Sequence, residues 1–355
     1  MVSCSSLHVP RIVVGVDTHK DQHVAVVVDK LGVRIGQRNL PTTNTGYVGL
    51  EHWASSLGEI DAFGVEGTGS YGAGLSFLRA QGHKVIEVNR PDRSTRRRLG
   101  KSDPTDAEMA ARAVLAGVAQ DRPKSGVDEV EMIRMLKSTK DSAMKGRTQA
   151  INQMKALIVT APVELRAVLR GLTTNQLVAR CARWRHGQLG TPTAAAKYAL
   201  RSLARRHIQL TQEIEALDAQ LARLTAAFAP ALMESFGIGP DTAAALLVTA
   251  GSNPERLKSE AAFAALCGVS PVPASSGKTN RHRLNRGGDR QANAALYRVV
   301  IVRLRYDDRT RIYFRRRMEE GKTKTEVIRC LKRYVAREVF TILHDLGKRH
   351  TAQSA

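Results

Sequence analysis

The sequence predicts an α/β domain at the amino end, a helical coiled-coil region in the middle and a mainly α-helical domain at the carboxyl end. Three observations lead to this prediction. β-Branched runs alternate with helix-like segments through the first 120 residues, apolar residues recur every seven positions in the middle, and the chain becomes Gly-rich and basic after residue 230. Alternating strands and helices are typical of a sheet flanked by helices, and a seven-residue repeat is typical of a coiled coil. We expect domains at 10–122, 123–229 and 230–348, with 349–355 as a tail.

The amino-terminal third is predicted to form a mixed sheet. Runs rich in Val and Ile, bounded by turn residues, predict strands, and segments with helical apolar spacing predict the intervening helices. The expected strands are 11–17, 23–29, 32–40, 61–66 and 83–89, and the expected helices are 44–57, 71–81 and 104–118.

The start of the last of these helices, "SDPTD", has two interpretations. Asp103 fits the N-cap, Pro104 the first helical position and Asp106 the third, where an acid favours the helix dipole. The same two carboxylates, three residues apart in a basic chain, also suit a metal site. A cap alone would explain Asp103, and a dipole partner alone would explain Asp106.

The middle of the chain predicts long helices. Apolar residues follow a heptad spacing at Leu203, Leu210, Leu217 and Leu224, interleaved with Ile214, Leu221 and Phe228, and with His207 as the polar member of the second series. Residues 126–158 favour a second helix whose apolar phase is interrupted by Lys140 and Arg147. An antiparallel hairpin within one chain and a dimer between chains are both open. Residues 160–197 are poorly patterned, and "GQLGTPTAA" within them is interpreted as a loop.

Charge indicates an anionic partner. The chain has 55 Lys and Arg against 33 Asp and Glu, a formal charge of +22 and a pI near 10.4. Nucleic acid is the usual partner of so basic a protein. The four cysteines are far apart and form no C-x-x-C pair, which argues against a zinc ribbon and a disulfide framework. No apolar run approaches membrane-spanning length, so we expect no membrane and a bacterial cytoplasmic, nucleoid-associated setting.

Two features of the chain predict contacts with nucleic acid. Gly237 and Gly239 form a Gly-Ile-Gly turn before a helix, as in a helix-hairpin-helix, where backbone N–H groups can hold a phosphate. Between residues 278 and 317 there are 13 Lys or Arg and 3 acids, too one-signed for an ordinary mixed surface. The basic residues expected to bind nucleic acid are Arg96, Arg97, Arg98, Lys101, Lys278, Arg281, Arg283, Arg286 and Arg290.

Two further acids end predicted strands. Asp17 ends the first strand and Glu66 the fourth, at the edge where α/β proteins tend to place their chemistry. Each is also a plausible strand-ending turn residue. With Asp103 and Asp106 they form four carboxylates that could converge to bind two divalent cations, Mg²⁺ or Mn²⁺, roughly 4 Å apart.

Several separated motifs give the chain a strong family resemblance. They are "VGVDTHKDQHVAVV", "GVEGTGSYGAGL", "VIEVNRPD", "KSDPTDAEMAARAV", "GIGPDTAAALL" and "EAAFAALCGVSPVPASSGKTNRHRLNRGGDRQANAAL", in order from about residue 12 to 300. The chain resembles the DEDD-type insertion-sequence transposases of the insertion sequence one-ten family, whose amino-terminal domain is RNase H-like (RuvC-like).

The resemblance implies a site and partners. Asp17, Glu66, Asp103 and Asp106 match the DEDD metal ligands, and Ser276 matches the proposed serine nucleophile of the carboxyl-terminal transposase domain, with the adjacent Ser275 as an alternative. The family implies recombination of double-stranded DNA through a serine–DNA intermediate, guided by a structured non-coding bridge RNA, in homodimers or homotetramers.

Two other functions remain open. The first is a metal-dependent RuvC-like nuclease, such as a junction resolvase, that uses the four acids without serine chemistry. The second is a non-catalytic protein that binds nucleic acid.

Overall fold

The computed structural model describes residues 10–68, 71–88, 102–120, 123, 129–185, 188–251, 257–275, 282–283 and 285–353, with the backbone alone for Ala73 and for residues 349–353. The described residues fall into two compact units. The first consists of the amino-terminal residues up to 123 with Gly251 and residues 257–258, and the second of Glu129–Ala250 with the residues from Ser259 onward. The three-domain division stays a prediction.

The first unit contains a five-stranded mixed sheet with the order β3-β2-β1-β4-β5. β1, β2 and β3 are antiparallel, and β4 and β5 run parallel to β1. This confirms the predicted mixed α/β sheet. The elements are β1 (Arg11–Thr18), β2 (Gln22–Asp29), β3 (Arg34–Pro41), α1 (Asn44–Ser55), β4 (Glu59–Glu66), a 3₁₀ turn (Ala73–Leu75), α2 (Ser76–Ala80), β5 (Val85–Val88) and α3 (Asp103–Leu115).

Helices cover both faces of this sheet. On one face Val14 and Val16 of β1 pack with Leu50 of α1 in the larger core. On the other face Val13 packs with Ala107 of α3 in a smaller core. This two-sided burial is why β1 and β2 are almost continuously apolar.

The second unit begins with two long antiparallel helices, α4 (Glu129–Thr160) and α7 (Pro192–Phe228), joined through α5 (Val163–Leu169) and α6 (Thr174–Ala182). Lys140 near the start of α4 meets Asp218 near the end of α7. Met154 near the end of α4 shares a core with Leu200 near the start of α7. Within one chain these helices therefore form a hairpin, and a coiled coil between chains stays a prediction.

The prediction of a loop over "GQLGTPTAA" is wrong from Pro192 onward. Thr191 is an N-cap whose hydroxyl accepts the N–H of Ala194 at 3.1 Å, and Pro192 occupies the first turn, where its missing N–H costs nothing. Helix α7 consequently begins well before the heptad repeat at Leu203.

Lys140 interrupts the apolar pattern of α4, and its ammonium belongs to a network of ion pairs. The Lys140 side chain is 6 % exposed, and its ammonium lies 2.8 Å from the carboxylate of Asp241. Asp241 also meets Lys137 at 3.3 Å and Arg298 at 3.0 Å. A charge at this core position is tolerated because acids surround it.

The remainder of the second unit is mainly helical, as predicted. Helix α9 packs against α4, α7 and α11, and α13 packs against α10, α11 and α12. None of the helices in the described ranges is long and apolar enough to cross a membrane. The elements are α8 (Pro230–Glu234), α9 (Pro240–Ala250), α10 (Glu260–Leu266), β6 (Val272–Pro273), β7 (His282–Arg283), α11 (Arg290–Tyr306), α12 (Asp308–Glu319) and α13 (Lys324–Gln353).

Candidate metal centre and nucleic-acid interface

Asp17 lies near the end of β1, on the face of the sheet that α3 covers. Because Val14 and Val16 point to the opposite core, strand alternation directs Gly15 and Asp17 toward α3. Gly15 permits the close packing of this helix, since a Cβ there would overlap the carbonyl oxygen of Ala107. Asp17 is 9 % exposed and is thus a largely buried carboxylate.

Glu66 ends β4 beside Asp17. The two strands are parallel with Val16 opposite Val65, so the next residue of each strand reaches the same level. The hydroxyl of Thr18 donates to the carbonyl oxygen of Glu66 at 2.8 Å and ties the two strand ends together. Alternation within β4 also directs Glu66 to the face that α3 covers.

Ser102 is the N-cap of α3, so the interpretation of Asp103 as the cap is wrong. The hydroxyl of Ser102 accepts the N–H of Thr105 at 3.4 Å, and the helix begins at Asp103. Serine caps a helix as well as aspartate does. Pro104 fits the first turn because a backbone N–H there would have no helical partner. The carboxylate of Asp103 is therefore not used for capping and is available to the site. Asp106, one turn into α3, is 3 % exposed.

His19 joins Asp17 to Asp103. Its Nε2 atom lies 3.3 Å from the Oδ2 of Asp17 and 3.4 Å from the Oδ1 of Asp103. One ligand atom from each of these three residues lies within 4.8 Å of the other two. Neither Glu66 nor Asp106 belongs to this group in the part of the chain that the structure describes.

His19 is not among the site residues that the sequence predicts. The residue follows Asp17 by two positions, and alternation places such a residue on the same face of a strand. That spacing was the available signal. What the sequence does not show is the long-range contact to Asp103, 84 residues later.

The electrostatics of this group suit a bound cation. Burial raises the pKa of Asp17, His19 opposes the rise, and the nearby carboxylates of Asp106 and Asp103 add to it. The three carboxylates carry more negative charge than the single His19 can offset, and a divalent cation would neutralise it. Carboxylate oxygens are the donors that Mg²⁺ and Mn²⁺ prefer, so the donor set fits either ion.

The Gly-Ile-Gly turn docks on α11. Gly237 has a φ of +84°, a conformation that favours glycine, and Ile238 is buried. The guanidinium of Arg303 donates to the carbonyl oxygen of Phe236 at 2.9 Å and holds the turn in place. A Cβ at Gly239 would meet no atom within 4 Å, so this end of the turn is open.

The predicted basic residues are only partly described. Arg283 on β7, Arg286 and Arg290 are exposed. Ser275 is exposed and has an interaction within the protein. The predicted residues Ser276, Lys278, Arg281, Arg96, Arg97, Arg98 and Lys101 lie outside the described residues.

Comparisons with known proteins identify related transposases. A family model of the IS110 DEDD type, described as "Transposase", matches residues 14–161, and one described as "Transposase IS116/IS110/IS902 family" matches residues 229–315. The "Insertion element IS110 uncharacterized 43.6 kDa protein" of Streptomyces coelicolor is 32 % identical over 147 residues, which cover 41 % of this chain and 36 % of that protein. The "Insertion element IS900 uncharacterized 42 kDa protein" of Mycobacterium paratuberculosis is 24 % identical over 95 % of this chain and 97 % of that protein.

The two matched ranges contain the residues of the candidate site. The first model spans Asp17, Glu66, Asp103 and Asp106. The second spans the Gly-Ile-Gly turn and the segment with Ser275 and Ser276, called the serine loop below. Both models describe DNA transposases, enzymes that cut and rejoin DNA. The chain belongs to the IS110 family of DEDD insertion-sequence transposases.

Proposed function

We propose that this chain is an insertion-sequence transposase that cuts and rejoins DNA through a serine–DNA covalent intermediate, aided by a divalent-metal carboxylate site. The meeting of Asp17 and Asp103 at His19, with Asp106 buried on the same helix, is the observation that carries the proposal. Strand ends and a helix start are rigid platforms, so these carboxylates are held in place before DNA binds.

The amino-terminal unit of this transposase has an RNase H-like, RuvC-like fold. Support comes from the positions of the acids: one on the first strand, one on the fourth strand and a pair at the start of the helix that covers them. Asp17, Glu66, Asp103 and Asp106 are the metal ligands, and Mg²⁺ or Mn²⁺ is the cation. A bound divalent cation supplies Lewis-acid stabilisation of charge on the phosphate oxygens.

Ser276 is the nucleophile, with Ser275 as the alternative. The serine oxygen bonds to the scissile phosphorus while the bond from phosphorus to the leaving DNA oxygen breaks. The serine gives up its proton to water, and the leaving oxygen takes a proton from water to become a free hydroxyl. A DNA hydroxyl then attacks the phosphoserine and regenerates the serine, so the number of phosphodiester bonds is conserved. Lys278, Arg281, Arg283 and Arg286 neutralise the pentavalent phosphate.

A bridge RNA guides the reaction, and the protein acts as a homodimer or homotetramer. The large positive charge supports simultaneous binding of RNA and DNA phosphates. Base pairing then selects the sequence, while the protein contacts the backbone and the Gly237–Gly239 turn holds a phosphate, as in a helix-hairpin-helix.

Cleavage by single variants separates this function from its nearest alternative. All four candidate carboxylates lie in one unit of the chain, which favours a metal-dependent nuclease as the second candidate. If the chain is a serine transposase with Ser276 as the nucleophile, Ser276→Ala and Asp106→Asn both abolish strand cleavage and exchange, and Ser275→Ala does not. If Ser275 is the nucleophile, the results of the two serine variants are exchanged. A nuclease instead retains cleavage in both serine variants and loses it only in Asp106→Asn.

A further inference from the structure

A cavity of about 640 Å³ in the second unit has a strongly basic wall. It lies between residues 268–271, β7, α12 and α13. Among the described residues, seven Lys or Arg side chains line it against one acid, Glu326. Its volume is within the range of about 300–1,000 Å³ that is typical of small-molecule sites.

Part of this charge has no ion-pair partner among the described residues, although the carboxylate of Glu326 has its pKa lowered by hydrogen bonds from Thr323 and then by the charges of Lys322 and Arg329. Arg333 and Arg337 share the carboxylate of Glu260, and Arg317 pairs with Glu320. In the part of the chain that the structure describes, Lys322, Arg329 and Lys332 make no ion pair with an acid. Excess cationic charge in a concave, half-buried place favours an anionic ligand.

The deepest of these cations is held in a fixed position. Lys332 is 7 % exposed, and its ammonium donates to the side-chain oxygen of Asn293 at 2.8 Å. The amide of Asn293 in turn donates to the carbonyl oxygens of Cys267 and Gly268, each at 3.0 Å. Burial and the charge of Arg329 lower the pKa of Lys332, and an anion in the cavity would oppose both effects.

Two tyrosines complete the wall. The rings of Tyr313 and Tyr334 meet edge to face with their centroids 5.5 Å apart. The guanidinium of Arg337 lies 5.8 Å from the centre of the Tyr334 ring, and that of Arg317 lies 6.0 Å from the Tyr313 ring. Tyr334 is 46 % exposed, so its ring offers a surface on which a base or sugar can pack.

We propose that this cavity binds a backbone phosphate, with its nucleotide, of the DNA strand that enters the serine loop. The assignment to DNA rests on the proposed function. β7 contributes Arg283 to the wall and pairs with β6, and Ser275 follows β6 by two residues. Because Arg283 pairs with Val272, three residues before Ser275, a DNA strand that reaches Ser275 also comes near this wall of the cavity. Helix α13 lies beyond the residues that the second family model matches.

The first test measures binding by the full-length protein. Fluorescence anisotropy with a short labelled DNA duplex carrying a single-stranded overhang gives the Kd at several salt concentrations. Arg329→Gln is expected to weaken binding about tenfold, because a charge-assisted hydrogen bond to phosphate is lost, and to lower the salt slope by about one. The matched control, Arg180→Gln, removes an exposed charge from α6 of the same unit and is expected to change Kd by less than about twofold. Equal effects of the two variants would overturn the proposal.

The second test locates the DNA at Cys330, which lines the cavity and is half-buried. The rate at which a thiol reagent modifies the Cys330 peptide is followed by mass spectrometry. Saturating DNA is expected to slow modification several-fold, and Arg329→Gln to remove the protection at the same DNA concentration. Modification at the free rate in saturated protein contradicts the proposal, and protection by an RNA strand but not by DNA would assign the cavity to RNA. Lys322→Gln replaces Arg329→Gln if the latter unfolds.

Neither readout requires strand cleavage. Loss of DNA binding in Arg329→Gln with normal cleavage by both Ser275→Ala and Ser276→Ala would retain the cavity and refute the serine chemistry. Unchanged binding in Arg329→Gln with no cleavage by Ser276→Ala would retain the serine chemistry and refute the cavity.

Discussion

Replacing Gly15 by alanine is expected to push α3 away from the sheet and disrupt the carboxylate group. A Cβ at this position would lie 2.6 Å from the backbone nitrogen of Ala111 and 2.9 Å from the backbone carbonyl carbon of Ala107. Both atoms belong to the α3 backbone and cannot rotate away, so the whole helix must shift. Overpacking of this kind costs about 1–3 kcal/mol, and a backbone clash favours the upper end, about 3 kcal/mol. Because α3 carries Asp103, the shift also lengthens its distance from Asp17.

Urea unfolding followed by tryptophan fluorescence measures this cost. Trp53 reports on the first unit, and a Trp184→Phe background removes the other tryptophan. The matched control is Gly49→Ala, where the new Cβ meets no atom within 4 Å and alanine is expected to stabilise α1 by up to about 1 kcal/mol. Equal free energies of unfolding for Gly15→Ala and Gly49→Ala would refute the packing argument, as would unchanged Mn²⁺ binding by Gly15→Ala.

Three further predictions concern the charged clusters. Because the pKa of Asp17 is raised, its contribution to stability is present at low pH and is lost as the pH rises through that value. Asp17→Asn should therefore raise the metal-free Tm at neutral pH and abolish the rise in Tm that Mn²⁺ gives the wild type; a lower Tm would contradict this. His19→Gln should weaken Mn²⁺ binding in calorimetry about tenfold, and unchanged affinity would exclude His19 from the site. Asp241→Asn should destabilise the protein by about 2 kcal/mol because Lys140 loses a buried partner, whereas Asp308→Asn, 85 % exposed, should change stability little; equal chemical denaturation of the two would refute this.

The sheet was predictable because its signals are local. The apolar runs that predict strands at 11–17 and 23–29 become Arg11–Thr18 and Gln22–Asp29, each almost wholly buried. A strand covered on both faces must be apolar along its length, so composition alone reveals it. The same reasoning finds Asp17 and Glu66 at the ends of β1 and β4, and their placement at one sheet edge follows from the parallel pairing of these two strands.

The errors occur where neighbouring residues compete or where contacts are long-range. Ser102 and Asp103 are both good caps, and composition does not decide between them. The contact of His19 with Asp103 depends on how α3 crosses the sheet. Likewise, Lys140 breaks an apolar pattern because its ammonium pairs with Asp241, which lies 101 residues further along the chain. Periodicity describes one helix at a time and cannot identify such partners.

The most direct test of the central claim is whether DNA becomes attached to a serine. The purified protein is incubated with Mg²⁺, its guide RNA and DNA ends, denatured, digested with protease and nuclease, and analysed by mass spectrometry. A nucleotide linked through phosphate to Ser276, absent from Ser276→Ala and absent from Asp106→Asn, is the predicted result. DNA that is cleaved to the same extent with no phosphoserine linkage at Ser275 or Ser276 would contradict the serine mechanism.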